Sequence, residues 1–189
     1  RAMEFQITKK AKNVAFGLMG LGALLTIIGV ALSASDHHFF TRFMASGLIS
    51  GFFFFALGLG ALFFLALKYA TETGWYAAVK RVIEAVAGFL PVGMIILGVV
   101  LLVLTIADGA HIYSWMDPEV QAHDEIVRHK AAYLNKPFFW IRTLAYFITY
   151  FLFWRGFKNR SLEEDRVGGT ELHFKNYKRG ALFLVFFAV

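Results

Sequence analysis

Residues 85–107 read AVAGFLPVGMIILGVVLLVLTIA, without one charged side chain. As an α-helix this stretch rises about 1.5 Å per residue and reaches about 35 Å, enough to cross a hydrocarbon core of about 30 Å. No water is present at that depth, so the backbone must satisfy its own hydrogen bonds, and a helix does this within one segment. Working outward, residues 14–34 (VAFGLMGLGALLTIIGVALSA) and 43–67 are equally free of charge. Residues 138–154 (FFWIRTLAYFITYFLFW) are shorter and carry Arg142. The run ALFLVFFAV at 181–189 starts a fifth apolar segment. The expected fold class is therefore all-α: a polytopic transmembrane helix bundle of four helices plus the start of a fifth. We expect residues 1–189 to form a single membrane domain and to be a fragment of a longer chain. An outer-membrane barrel would show short alternating segments instead.

Composition agrees. Hydrophobic residues make up 58% and charged residues 17% of the chain, against about 45–50% and about 25% in soluble domains. The 22 Phe and 17 Gly suit helices packed in lipid. The net charge of +6 does not point to nucleic acid, because the basic residues flank apolar runs and form no stripe of their own. With no Cys, the chain has no disulfide, no Cys-ligated iron–sulfur cluster and no c-type haem attachment of its own.

Lys and Arg set the expected orientation. Arg1, Lys9, Lys10 and Lys12 lie at the start of the chain; Lys68, Lys80 and Arg81 follow the second span. Arg155, Lys158, Arg160, Arg166, Lys175, Lys178 and Arg179 follow the fourth. The opposite loops hold only Arg42, Arg128, Lys130 and Lys136. The richer side should be cytoplasmic, which puts the N-terminal segment inside and loops 35–42 and 108–137 outside. Trp115 and Trp140 suit an outer aromatic belt, Trp75 and Trp154 an inner one.

Local signals add detail. Thr73 is a candidate N-cap, and nothing interrupts a helix between Trp75 and Pro91. Such a helix to Ala107 would run roughly 50 Å, with a kink where Pro91 clashes with the Ala87 carbonyl. Asp117-Pro118-Glu119 reads as N-cap, Pro at N1 and an acid in the first turn. Val120, Val127, Ala131 and Leu134 follow on one face, predicting an outer surface helix over about 118–134. Small residues should bring helices close: Gly17, Gly20, Gly22 and Gly29 on the first, and Gly47, Gly51, Gly58 and Gly60 on the second.

No His lies mid-helix, so a membrane-embedded haem has no facing ligands. His123 and His129 are six apart and point to different faces. A zinc or copper site from His37, His38 and His111 stays open as the weaker reading, and we assign no metal ligand. Polar groups at membrane depth are the sharper signal, since burying them in lipid is costly. Glu84 shares a face with Ala87, Gly88 and Pro91, where an acid beside a freed carbonyl suits proton relay. The plainer reading pairs it with Lys80 one turn back. Arg142, Tyr146, Thr149 and Phe153 recur at helical spacing and should face the bundle. The proton-path candidates are thus Glu84, Tyr146 and Thr149. The outer polar cluster, or quinone-binding candidates, are His38, Asp108, His111 and Arg142, with Arg142 expected on Asp108, His111 or a carbonyl.

Two separated motifs carry a family resemblance over roughly residues 45–160. His129-Lys130-Ala131-Ala132-Tyr133-Leu134-Asn135, then Phe138-Phe139-Trp140-Ile141-Arg142 and Tyr146-Phe147, resembles the ActF subunit family of bacterial alternative complex III, a branch of the NrfD- and PsrC-like membrane subunits. Gly74-Trp75, then Arg81-Val82-Ile83-Glu84-Ala85 and Phe89-Leu90-Pro91, resembles the start of the same family's third helix. The resemblance implies an integral membrane subunit of a quinol-oxidising respiratory complex that passes electrons to a cytochrome c or an oxidase. It implies partners too: an ActC-like membrane subunit, with iron–sulfur clusters and haem c on further subunits of the bacterial inner membrane. It implies no catalytic residue on this chain. We expect a cofactor-free, structural subunit with a candidate proton route. A quinone-binding subunit of the same complex and a secondary transporter are the alternatives.

Overall fold

The computed structural model describes residues 8–33, 38–107, 112–168 and 171–188. Among these it is all-helical, with no strand. In chain order it has α1 (Lys9–Ser33), α2 (Phe39–Ala70), a 3-10 turn (Gly74–Ala78), α3 (Lys80–Ala87) and α4 (Leu90–Ile106). A second 3-10 turn (Ser114–Met116) precedes the short α5 (Pro118–His123) and α6 (Glu125–His129), then α7 (Lys136–Val167) and α8 (Glu171–Ala188). Three helical stretches are long and apolar enough to cross a membrane: Lys9–Leu32, Phe39–Ala70 and Lys80–Ile106. The chain is a membrane-embedded protein. The fourth expected span falls within α7, whose 32 residues run well past Trp154 into charged sequence. The fifth falls within α8, which starts ten residues before the apolar run because Glu171–Gly180 is helical as well.

By packing, the chain divides into two compact units, one up to Arg42 and one from Phe43 onward. In the first, α1 is apolar on every face from Val14 onward and its described side chains are exposed, the pattern of a helix whose solvent is lipid. The second holds the core: Phe55, Leu62, Leu65 and Tyr69 of α2 pack with Leu90, Leu97 and Leu101 of α4, Phe157 of α7 and Phe183 of α8. Glycines set the spacing. A Cβ on Gly58 would lie 2.9 Å from the Leu90 Cα, and one on Gly93 would lie 3.0 Å from the Phe55 Cα. These two glycines let α2 and α4 touch backbone to backbone. Gly180 does the same for α8 on α2, where a Cβ would meet the Ala66 carbonyl oxygen at 2.7 Å. Gly47 and Gly51 also face α4, at ordinary contact distance, and Gly60 has open space.

Two expected helices break. The stretch from Trp75 is a 3-10 turn, not α-helix, because Tyr76 tucks under the end of α2, its ring edge-on to Tyr69 at 5.8 Å. Thr73 is extended and makes no side-chain cap. A second break falls at Gly88–Phe89: the Gly88 amide still donates to Glu84, but Pro91 sits in the first turn of α4 with no N–H to offer Ala87. The surface helix over 118–134 is likewise two short helices and a turn. Asp124 is extended, and its Oδ1 accepts from the amides of Ile126 and Val127 at 2.8 and 3.2 Å. An Asp that caps a new helix stops the old one. Asp117 caps α5 through the Glu119 amide at 2.9 Å.

Candidate functional site

Chemistry-bearing side chains gather at one end of the second unit, where the C-terminal half of α7 passes the start of α3. Lys80 and Arg81 open α3, while Glu164 and Asp165 lie three turns beyond Trp154 on α7. Lys80 Nζ donates to Glu164 Oε2 at 2.8 Å, with side chains only 14% and 21% exposed. Arg81 bridges both helices. It pairs with Glu84 one turn on and with Asp165 across the interface, and its Nη1 donates to Ser161 Oγ at 3.2 Å. Ser161 is fully buried.

Beneath these charges lies an aromatic floor. The Tyr69 ring stacks on Phe157 at 5.5 Å and 7°, and Lys80 Nζ sits 5.6 Å above it. His173 of α8 closes the far side, 5.9 Å from Tyr69. The Tyr69 hydroxyl and Glu84 Oε1 are buried with no hydrogen-bond partner among the described residues. Burial above all pushes the Tyr76 hydroxyl far above its ordinary range, and the neighbouring Tyr69, Glu164 and Glu84 add to this. At α8, Arg160 Nε donates to Asn176 Oδ1 at 2.6 Å.

The residues singled out from sequence do not converge. Glu84 is in this cluster, 13% exposed, but its partner is Arg81 and not Lys80. Lys80 instead reaches across to α7, since Glu164 offers a carboxylate on the side that Lys80 faces. Tyr146 and Thr149 point away from the bundle: Tyr146 is 52% exposed, and the Thr149 hydroxyl donates to its own helix at Ala145 O, 2.7 Å. Phe147 and Tyr150 hold the inward face, against Phe55. Thr149 also lies twelve residues before Ser161, about 18 Å along the helix, so the three proton-path candidates form no continuous line.

Among the outer candidates, Asp108 and His111 lie outside the described residues, and His38 belongs to the first unit. Arg142 has its guanidinium carbon 3.8 Å from the Tyr133 ring centre and 4.8 Å from that of Phe138. The Asn135 turn brings Tyr133 back over α7: its Oδ1 accepts from Phe138 N at 2.8 Å, and its Nδ2 donates to Ala131 O and Ala132 O. Two aromatic faces thus flank the Arg142 cation; its expected partners Asp108 and His111 lie outside the described residues. No group of three or more His, Asp or Glu suited to a metal ion occurs among the described residues. His123 Nδ1 lies 2.9 Å from Glu119 O, and His129 lies 3.8 Å from Glu125.

Sequence reading missed Ser161, Glu164, Asp165, Tyr69 and Asn176. The signal was present in the run Glu163-Glu164-Asp165, acidic and opposite in sign to Lys80-Arg81 on the same expected side of the membrane. No family model matches the chain, and no curated protein matches it.

Proposed function

We propose that the protein is a cofactor-free, polytopic membrane subunit of a quinol-oxidising respiratory complex in a bacterial inner membrane. Its N-terminal segment is cytoplasmic and its α7 supplies a fourth span. Its role is chiefly structural, with Glu84 as the candidate proton carrier among the described residues. The family resemblance supplies the complex; the observation that carries the role is the state of Glu84. One carboxylate oxygen is tied to Arg81, while the other is buried without a partner at the start of a spanning stretch. An unpartnered buried oxygen has acceptor capacity to spare.

Glu84→Gln tests this reading in the intact complex, because it keeps the shape and removes the titrating group. A proton-bearing Glu84 predicts normal subunit content with slower quinol oxidation or a lower proton-to-electron ratio. Unchanged values of both leave Glu84 as an interfacial partner of Arg81. Haem absorbance and iron in the purified assembly test membership of a respiratory complex. Their absence would favour the secondary transporter. Quinone binding on this chain has weaker support, since the outer candidates are not brought together: Asp108 and His111 lie outside the described residues and His38 belongs to the first unit.

A further inference from the structure

A second cluster lies where α7 and α8 pack, and the ion network does not use it. A Cβ on Gly156 would lie 2.9 Å from Arg179 Nη1 and 3.0 Å from Arg160 Nη2. The missing side chain therefore lets two guanidinium groups lie on the α7 backbone within a few ångströms of each other. Like charges so close repel and call for an anion. Among the described residues neither has a carboxylate partner, because Glu164 is taken by Lys80 and Asp165 by Arg81. Two donors here are buried with nothing to receive them: Arg160 Nη2 and Asn176 Nδ2. Such orphan donors are costly to bury unless something outside the chain completes them. Burial and the facing Arg179 push the Arg160 guanidinium down from its ordinary range, so this charge is held against its environment.

Depth identifies the missing anion. Gly156 and Arg160 follow Trp154, the last residue of an apolar run. Arg179 and Asn176 precede Ala181, the first residue of another. Both sides of the notch therefore sit where hydrocarbon gives way to lipid headgroups. Lys158 Nζ, 5.0 Å over the Trp154 ring, is placed as an interfacial cation on its aromatic anchor. Paired guanidinium forks match the oxygens of a phosphate better than a single carboxylate. Basic notches between helices at this level suit anionic headgroups. We propose that Arg160, Arg179 and Asn176 form a phosphate site for the headgroup of an anionic membrane phospholipid. The site rests on the proposed fourth span in α7 and does not depend on the respiratory reading.

The test uses the full-length protein purified with its native partners, in micelles doped with phosphatidylglycerol or with phosphatidylcholine. Native mass spectrometry counts lipid adducts on this chain. We expect phosphatidylglycerol adducts on the wild type, no gain over background with phosphatidylcholine, and about tenfold fewer phosphatidylglycerol adducts for Arg179→Gln. Lys178→Gln, which removes one exposed charge next door, should retain them. Arg160→Gln should act like Arg179→Gln. Should it fail to assemble, Arg179→Gln decides the matter, because Arg179 is exposed and its loss leaves no buried gap. Equal adducts in wild type and Arg179→Gln would overturn the site. Loss of the adducts on addition of inorganic phosphate at low concentration would overturn the lipid as its ligand and leave a free-phosphate site.

Discussion

At Gly58 the nearest atoms to an added side chain are the Cα and N of Leu90, at 2.9 and 3.0 Å, and backbone cannot rotate away. Gly58→Leu should therefore force α2 and α4 apart. Overpacking of this kind costs about 1–3 kcal/mol. A fall of several degrees in the Tm of the detergent-solubilised protein is the measurement. Gly60→Ala, with open space at its Cβ, should leave the Tm unchanged or slightly raised. Equal losses for the two would show that helix propensity, not close approach, is at work. Arg142 gives a second test. Its contact with Tyr133 is a cation–π pair worth about 0.5–2 kcal/mol. Tyr133→Leu should lower stability by about that amount while Tyr133→Phe should not. Arg142→Ala should reduce assembly more than turnover. Tyr76 supplies a pH dependence. Its hydroxyl is neutral when protonated, and burial raises its folded pKa above the unfolded value of 10.0. Its stabilising effect is then full below about pH 10 and is lost as the pH rises beyond that. In Tyr76→Phe, melting temperatures should stay flatter above pH 10 than in the wild type.

Helix by helix, the apolar runs were legible because lipid leaves the backbone one option, and charge-free stretches of this length admit no other fold. Three stretches long and apolar enough to span are present. Their ends were not legible. The helix at 138–154 continues to Val167 because nothing in Arg155–Arg166 breaks it, and hydropathy is silent about charged helix. The opposite error at 118–134 has the same root: apolar spacing was read through Asp124, whose side chain competes for the backbone amides ahead of it. Orientation of the polar stripe on α7 was also beyond sequence reading. Tyr146 and Tyr150 sit one turn apart with rings stacked at 6.2 Å, yet only Tyr150 packs on Phe55. In lipid, polarity alone does not choose the inward face when aromatic packing competes for it. The cross-helix pair Lys80–Glu164 is the element-level contact most open to test. Its side chains are mostly buried, so Lys80→Ala should cost roughly 2–3 kcal/mol, somewhat below a fully buried pair, by leaving Glu164 uncompensated. The exchanged double variant Lys80→Glu with Glu164→Lys should recover a good part of that loss. No recovery would mean that the α3–α7 contact rests on the aromatic floor of Tyr69 and Phe157 and not on charge.

For the whole molecule the open physical question is which end of the second unit faces which side of the membrane. The ion network ties the residues after α2 to those after Trp154, so Lys80, Arg81, Arg160 and Arg179 belong to one end. That end also carries Arg155, Lys158, Lys175 and Lys178, the loop asymmetry on which the proposed cytoplasmic placement rests. Glu164 and Asp165 neutralise two of these cations. They do not weaken the argument, because acidic residues contribute little to orientation. The opposite end holds the loop with α5 and α6. Ser114 and Asn159 are exposed and lie at these two ends, so single cysteines there report sidedness without disturbing a packed contact. The chain has no native cysteine to confuse the signal. In sealed, right-side-out spheroplasts, an impermeant thiol reagent should label Ser114→Cys and spare Asn159→Cys until the membrane is opened. In inverted vesicles the order should reverse. Labelling of both positions from one side would mean that α7 does not cross, and the fourth span would have to be withdrawn.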